Sequence, residues 1–198
     1  DLQSALAHLV QDGTFAPVVD LDRIYAAGFS YGGWTALSMV GVRGKAQASA
    51  AYCKTAGARS SHCWDLEKAG IDLSAYDPKA WSASYKDNRV KAVAAIDPGL
   101  TWGLTRADTA DVDQRKVLLI GLGTGADRYF ATDTSPGGNN FEQAIPEAAV
   151  AVVTPASHFS AMPVCKPDGA KLLAQEKGDP VCSDPAGADR TVVHDEIV

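Results

Sequence analysis

Apolar and polar positions along this chain change period several times. Leu2, Leu6 and Leu9 recur at three- to four-residue spacing, which predicts a helix over the opening DLQSALAHLVQDG. Four short apolar runs follow at wide intervals and read as strands: 23–30 (RIYAAGFS), 89–98 (RVKAVAAIDP), 116–123 (KVLLIGLG) and 148–157 (AAVAVVTPAS). KVLLIGLG is apolar throughout, as in a strand of a parallel sheet covered on both faces. GGWTALSMVG after the first run, NNFEQAIPEA before the fourth and the tail from about Asp184 predict helices. Strands alternating with helices predict an α/β fold with a mostly parallel sheet and helices on both faces.

One stretch breaks the alternation. Residues 42–88 carry Cys53, Cys63, Trp64, Trp81 and a helix-like SHCWDLEKAG. Aromatic residues at this density need a surface to pack on, so the stretch reads as an inserted cap and not a linker. The composition changes little: 198 residues, 46% hydrophobic and 21% charged, suit one globular domain. A net charge of −6 offers no basic surface for nucleic acid or an anionic membrane. No apolar run is long enough to span a bilayer. The four cysteines fall into two local pairs, Cys53 with Cys63 and Cys165 with Cys182, neither at zinc or redox spacing. They predict two disulfides and an exported (periplasmic or secreted) protein, against the alternative of four buried thiols in a cytosolic enzyme.

The candidate chemistry sits at strand ends. Gly28-Phe29-Ser30-Tyr31-Gly32 fits G-x-S-x-G, with the serine closing an apolar strand and opening a helix. Flanking glycines would let a strained serine project as a nucleophile, and the Tyr31 N–H would face a developing oxyanion. A tight turn that merely favours small residues is the plainer alternative. Ser30 needs a base. His158, in TPASHFSAMP after the last strand, lies at the carboxyl edge where ligands gather in such sheets. His8, His62 and His194 read as surface or packing residues. Two aspartates compete to orient the base: Asp127 in GLGTGADRY after the third strand, and Asp97 in AAIDPG after the second. Asp127 occupies the more usual position and is the expected acid; Asp97 is the alternative. GLGTGAD lacks the G-x-G-x-x-G spacing and a following helix, so nucleotide binding is not expected. No metal or organic cofactor is required.

The stretches DRIYAAGFSYGGWTAL, YKDNRVKAVAAIDPGL, VLLIGLGTGADRYFATD, AVVTPASHFSAMPVCKP and VCSDPAGADRTVVHDEIV resemble the predicted dienelactone-hydrolase-like group of the α/β-hydrolase superfamily, related to platelet-activating-factor acetylhydrolases. The resemblance runs through essentially the whole chain. It implies an α/β-hydrolase fold, Ser30 as nucleophile and His158 as base. Dienelactone-hydrolase-type members favour Asp127 as the acid, and acetylhydrolase relatives favour Asp97. The family carries several strands before the serine turn, and only a short stretch precedes Ser30 here. The chain is therefore expected to be the C-terminal part (1–198) of one hydrolase domain, lacking the early strands. The N-terminal fragment of the same hydrolase would then be a second chain or have been lost. The expected function is a serine hydrolase acting on a small-molecule carboxylic ester or lactone. Trp64, Trp81, Trp34 and Trp102 are expected to form an apolar wall of the substrate pocket. Alternatives are a peptidase or acyltransferase on the same three residues, or a non-catalytic binding protein with this fold.

Overall fold

In the computed structural model, which describes residues 2–176 and 179–198, four strands form one parallel sheet in the order β1-β2-β3-β4. They are β1 (Ile24–Phe29), β2 (Val90–Ile96), β3 (Val117–Leu122) and β4 (Ala149–Val153). All three pairings are parallel, so the carboxyl ends of all four strands meet at one edge. The helices are α1 (Leu2–Leu9), α2 (Tyr31–Met39), α3 (Ala46–Ala56), α4 (Ser61–Lys68), α5 (Pro78–Trp81), α6 (Gly169–Glu176) and α7 (Arg190–Ile197). This is the α/β class that the alternating runs predict.

Strand periodicity explains the two cores. Val117 and Leu119 of β3 point to one face, where Ala36 and Leu37 of α2 pack with Val93 and Ala95 of β2. Leu118, Ile120 and Leu122 point to the other face and meet Val193 and Ile197 of α7. Helices thus cover both faces of β3. β4 is an edge strand, and Val150 and Val152 remain half exposed.

Local chemistry moves some element boundaries. NNFEQAIPEA does not form an α-helix; it makes a single 3-10 turn, Phe141–Gln143. Pro146 removes a backbone donor on its C-terminal side, and the Asn139 side chain fixes where the turn begins by accepting the Phe141 N–H at 3.0 Å. The closing helix begins at Arg190 and not near Asp184, because Asp189 caps it by accepting the Thr191 N–H at 2.8 Å. Residues 42–88 hold three α-helices where the pattern suggested one. α6 lies between the last two cysteines, where the sequence pattern predicts no helix. Its Leu172 is exposed, so no apolar stripe marked it.

Both predicted disulfides are formed, Cys53–Cys63 and Cys165–Cys182. The first ties α3 to α4 across 10 residues. Replacing Cys53 and Cys63 together by serine is expected to cost about 3 kcal/mol by freeing the unfolded chain, measurable by denaturant unfolding.

The tightest packing lies where α2 leaves β1. A Cβ on Gly28 would fall 2.2 Å from the backbone C and O of Gly32, and one on Gly33 would fall 3.0 Å from the Gly28 carbonyl oxygen. A Cβ on Gly32 would meet nothing within 4 Å. The crowding therefore falls on Gly28 and Gly33. Gly28→Ala is expected to destabilise by about 3 kcal/mol, because backbone cannot move aside cheaply. Gly32→Ala, inside the first turn of a helix, is expected to be neutral or to stabilise by up to about 1 kcal/mol. Paired thermal and urea melts would check this contrast.

Candidate active site

Ser30 stands between β1 and α2 at φ 56°, ψ −117°, a conformation that residues with a side chain rarely adopt. Three backbone hydrogen bonds hold it there. Its N–H donates to Ile96 O at 3.0 Å, and its carbonyl accepts from the N–H groups of Trp34 and Gly99 at 3.1 Å each. The end of β2 and the turn after it thus fix the serine from outside its own strand. Tyr31 is the first residue of α2, so its N–H has no acceptor within the helix.

Asp97 follows β2 directly, also at positive φ (42°), and is fully buried. Its N–H donates to Ile120 O at 2.7 Å, which locks it across β3. Its carboxylate is surrounded by donors. Oδ1 accepts the Leu122 N–H at 2.8 Å, and Oδ2 accepts the Thr132 hydroxyl at 2.9 Å and His158 Nδ1–H at 2.9 Å. Arg128, 10% exposed, brings Nη1 to 3.9 Å from Oδ1. It fits because residue 121 is glycine: a Cβ there would fall 1.8 Å from that nitrogen. Since a carboxylate only accepts, Nδ1 of His158 carries the proton, and Nε2 is left as the basic nitrogen.

His158 opens a 3-10 turn, His158–Ala161, and is 5% exposed. Phe29 lies 4.5 Å from its ring centroid and Tyr129 stacks on it at 4.9 Å. A polar chain fixes the turn from behind. Ser160 Oγ accepts the Ser157 N–H at 2.9 Å and donates to Asp184 at 2.7 Å, and Arg190 pairs with Asp184 at 2.8 Å.

Of the two candidate acids, the one brought to His158 is Asp97. Asp127, the expected acid, lies in the 3-10 turn Gly125–Asp127 with an exposed side chain. That turn directs the next residue, Arg128, inward instead.

Ser30 and His158 line one cavity of about 650 Å³. Its other walls include the rings of Tyr31, His62, Trp102 and Tyr129. Of the four tryptophans expected there, Trp102 alone takes the place. α4 presents His62, Asp65 and Leu66, followed by its C-cap Ala69, to the cavity at helical spacing, which turns Trp64 outward, where it is 46% exposed under Lys68. Trp34 and Trp81 line a separate cleft with Tyr76.

His62 has a closer role than surface or packing. The Tyr31 hydroxyl hydrogen-bonds its Nδ1, joining α4 to the residue after Ser30. Burial, with neighbouring Tyr129 and Asp65, pushes the Tyr31 phenol up to about 12, so it stays protonated and donates. Burial lowers the His62 pKa, with Asp65 opposing, so the ring favours its neutral form. Thr132, Arg128 and the Tyr31–His62 bond carried no recognisable sequence pattern.

Among the described residues no cluster of three or more His, Cys, Asp or Glu is placed to hold a metal ion. No helix among them is long and apolar enough to cross a membrane. No family model, curated protein or solved structure matches the chain.

Proposed function

We propose that this chain is a serine hydrolase of the α/β-hydrolase type, cleaving carboxylic ester or lactone bonds through an acyl-enzyme. The observation that carries the reading is that a strained Ser30 and a His158 hydrogen-bonded to buried Asp97 lie at one sheet edge and line one cavity. In this reading Ser30 Oγ attacks the carbonyl carbon while His158 Nε2 takes its proton. The carbonyl electrons move onto oxygen, which the Tyr31 N–H stabilises. Asp97 holds the imidazolium without itself becoming protonated. As the tetrahedral adduct collapses, the C–O bond to the alcohol breaks and His158 passes the proton to that oxygen. Water, deprotonated by the same ring, then cleaves the acyl-enzyme and restores Ser30. The two disulfides are consistent with export, and we infer an exported protein.

Fluorophosphonate labelling followed by peptide mapping tests the reading, because that probe reacts only with an activated serine. Label on Ser30, lost in His158→Ala, is the expected result. Folded protein that takes no label would overturn it and favour a binding role for the same cavity.

A further inference from the structure

Among the described residues, the charge lining the cavity is one-sided. Asp65 of α4 and Asp179, from the segment after α6, both line it, and no lysine or arginine does among the described residues. Burial is the main cause that raises both the Tyr31 and Tyr129 phenols, and the two carboxylates add to it from separate elements, Asp65 at Tyr31 and Asp179 at Tyr129. Neither has an ion-pair partner among the described residues. The nearby cations are committed elsewhere. Arg128 lies behind Asp97 and pairs with it and Asp133. Lys68 Nζ sits over the Trp64 ring on the outer side of α4. His62, favoured as the neutral ring, does not offset the two negative charges.

Apolar walls strengthen such a field on the cavity side, where low-dielectric surroundings screen it poorly, while solvent screens the outer side of Asp65, which is exposed; Asp179 is half-buried. The aromatic lining adds π-faces that attract cations, with Tyr31 47% exposed at the mouth. Resting on the hydrolase reading above, we propose that the cavity selects esters bearing an ammonium group and rejects anionic ones, with Asp65 and Asp179 as the selecting residues. The same field acts on the products. Hydrolysis of an ester with an uncharged acyl group releases a carboxylate, which two fixed carboxylates push out of the cavity.

The test compares matched para-nitrophenyl esters whose acyl chain ends in a methyl, a trimethylammonium or a carboxylate group. In the hydrolase reading the ester occupies the cavity that Asp65 and Asp179 line, so a charge at the acyl end reads their field. For the wild-type chain, kcat/KM for the cationic ester should exceed that for the anionic one by at least about tenfold at low salt. Added salt should narrow the gap. The double variant Asp65→Asn, Asp179→Asn should shrink the ratio severalfold, mainly through KM, with the uncharged ester as the internal reference. A wild-type ratio near one, or a ratio the double variant leaves unchanged while the uncharged ester is turned over, would overturn charge selection and leave the hydrolase reading intact. Absence of turnover on all three esters, together with no fluorophosphonate label, would overturn the hydrolase reading and this proposal with it.

Discussion

Ser30→Ala is expected to lower kcat on a para-nitrophenyl ester by about 10⁶-fold while leaving the fold intact. The magnitude follows from the unit behaviour of nucleophile, base and orienting acid: removing the nucleophile alone costs about as much as removing all three. A residue of about 10³–10⁴-fold over the water reaction should survive from oxyanion stabilisation and binding. The variant should not be less stable, because the smaller side chain leaves the backbone bonds of residue 30 to Ile96, Trp34 and Gly99 in place. Stopped assays with active-site titration are required, since a trace of wild-type enzyme would mask so large a loss. Near-full activity in this variant would sink the assignment of Ser30.

Asp97→Asn and Asp127→Asn form the second decisive pair. At Asp97 the amide keeps the shape, and its oxygen can still accept the Leu122 N–H. Its NH₂ group, however, would face His158 Nδ1 and favour the tautomer protonated on Nε2, which cannot take the serine proton. A loss of about 10⁴-fold in kcat near neutral pH is expected. Asp127 is exposed and contacts neither His158 nor Ser30, so its asparagine variant is expected to stay within about twofold of wild type, as surface changes usually do. Steady-state kinetics on the two variants, with melts to confirm folding, decide the matter. The reverse pattern would make Asp127 the acid and overturn the pairing seen here.

The sequence made some of this arrangement legible and hid the rest for physical reasons. The four strands were visible because each is a continuous apolar run closed by Gly, Pro, Ser or Asp; the parallel sheet was expected from helices between the runs, yet α-helices lie only between β1 and β2, and the β2–β3 and β3–β4 connections are 3-10 turns and loops. Ser30 and His158 stood out because each lies just past a strand. Asp97 and Asp127 could not be separated that way, since both also lie just past strands. What separates them is tertiary: the positive φ of Asp97, the Ile120 carbonyl that holds its N–H, and the donors from Leu122 and Thr132. The Tyr31–His62 bond joins residues 31 positions apart and leaves no periodic trace. The tryptophans misled because density of aromatic residues says nothing about which helix face they occupy. The 3-10 turn at Phe141–Gln143 shows a local rule, a proline and an asparagine, overriding an apolar pattern of helical look.

Ser30 and Asp97 both hold left-handed backbone conformations in which a side chain is strained by on the order of 1–3 kcal/mol each. Glycine would sit at either position at ease. At Asp97, however, loss of the carboxylate would strand the buried Leu122 N–H, Thr132 hydroxyl and Arg128, so a laboratory evolution campaign that rewards heat resistance alone would enrich glycine at Ser30 and not at Asp97. On the proposed hydrolase reading it would return a sturdier protein without its nucleophile, so any such campaign on this chain has to score turnover in every round.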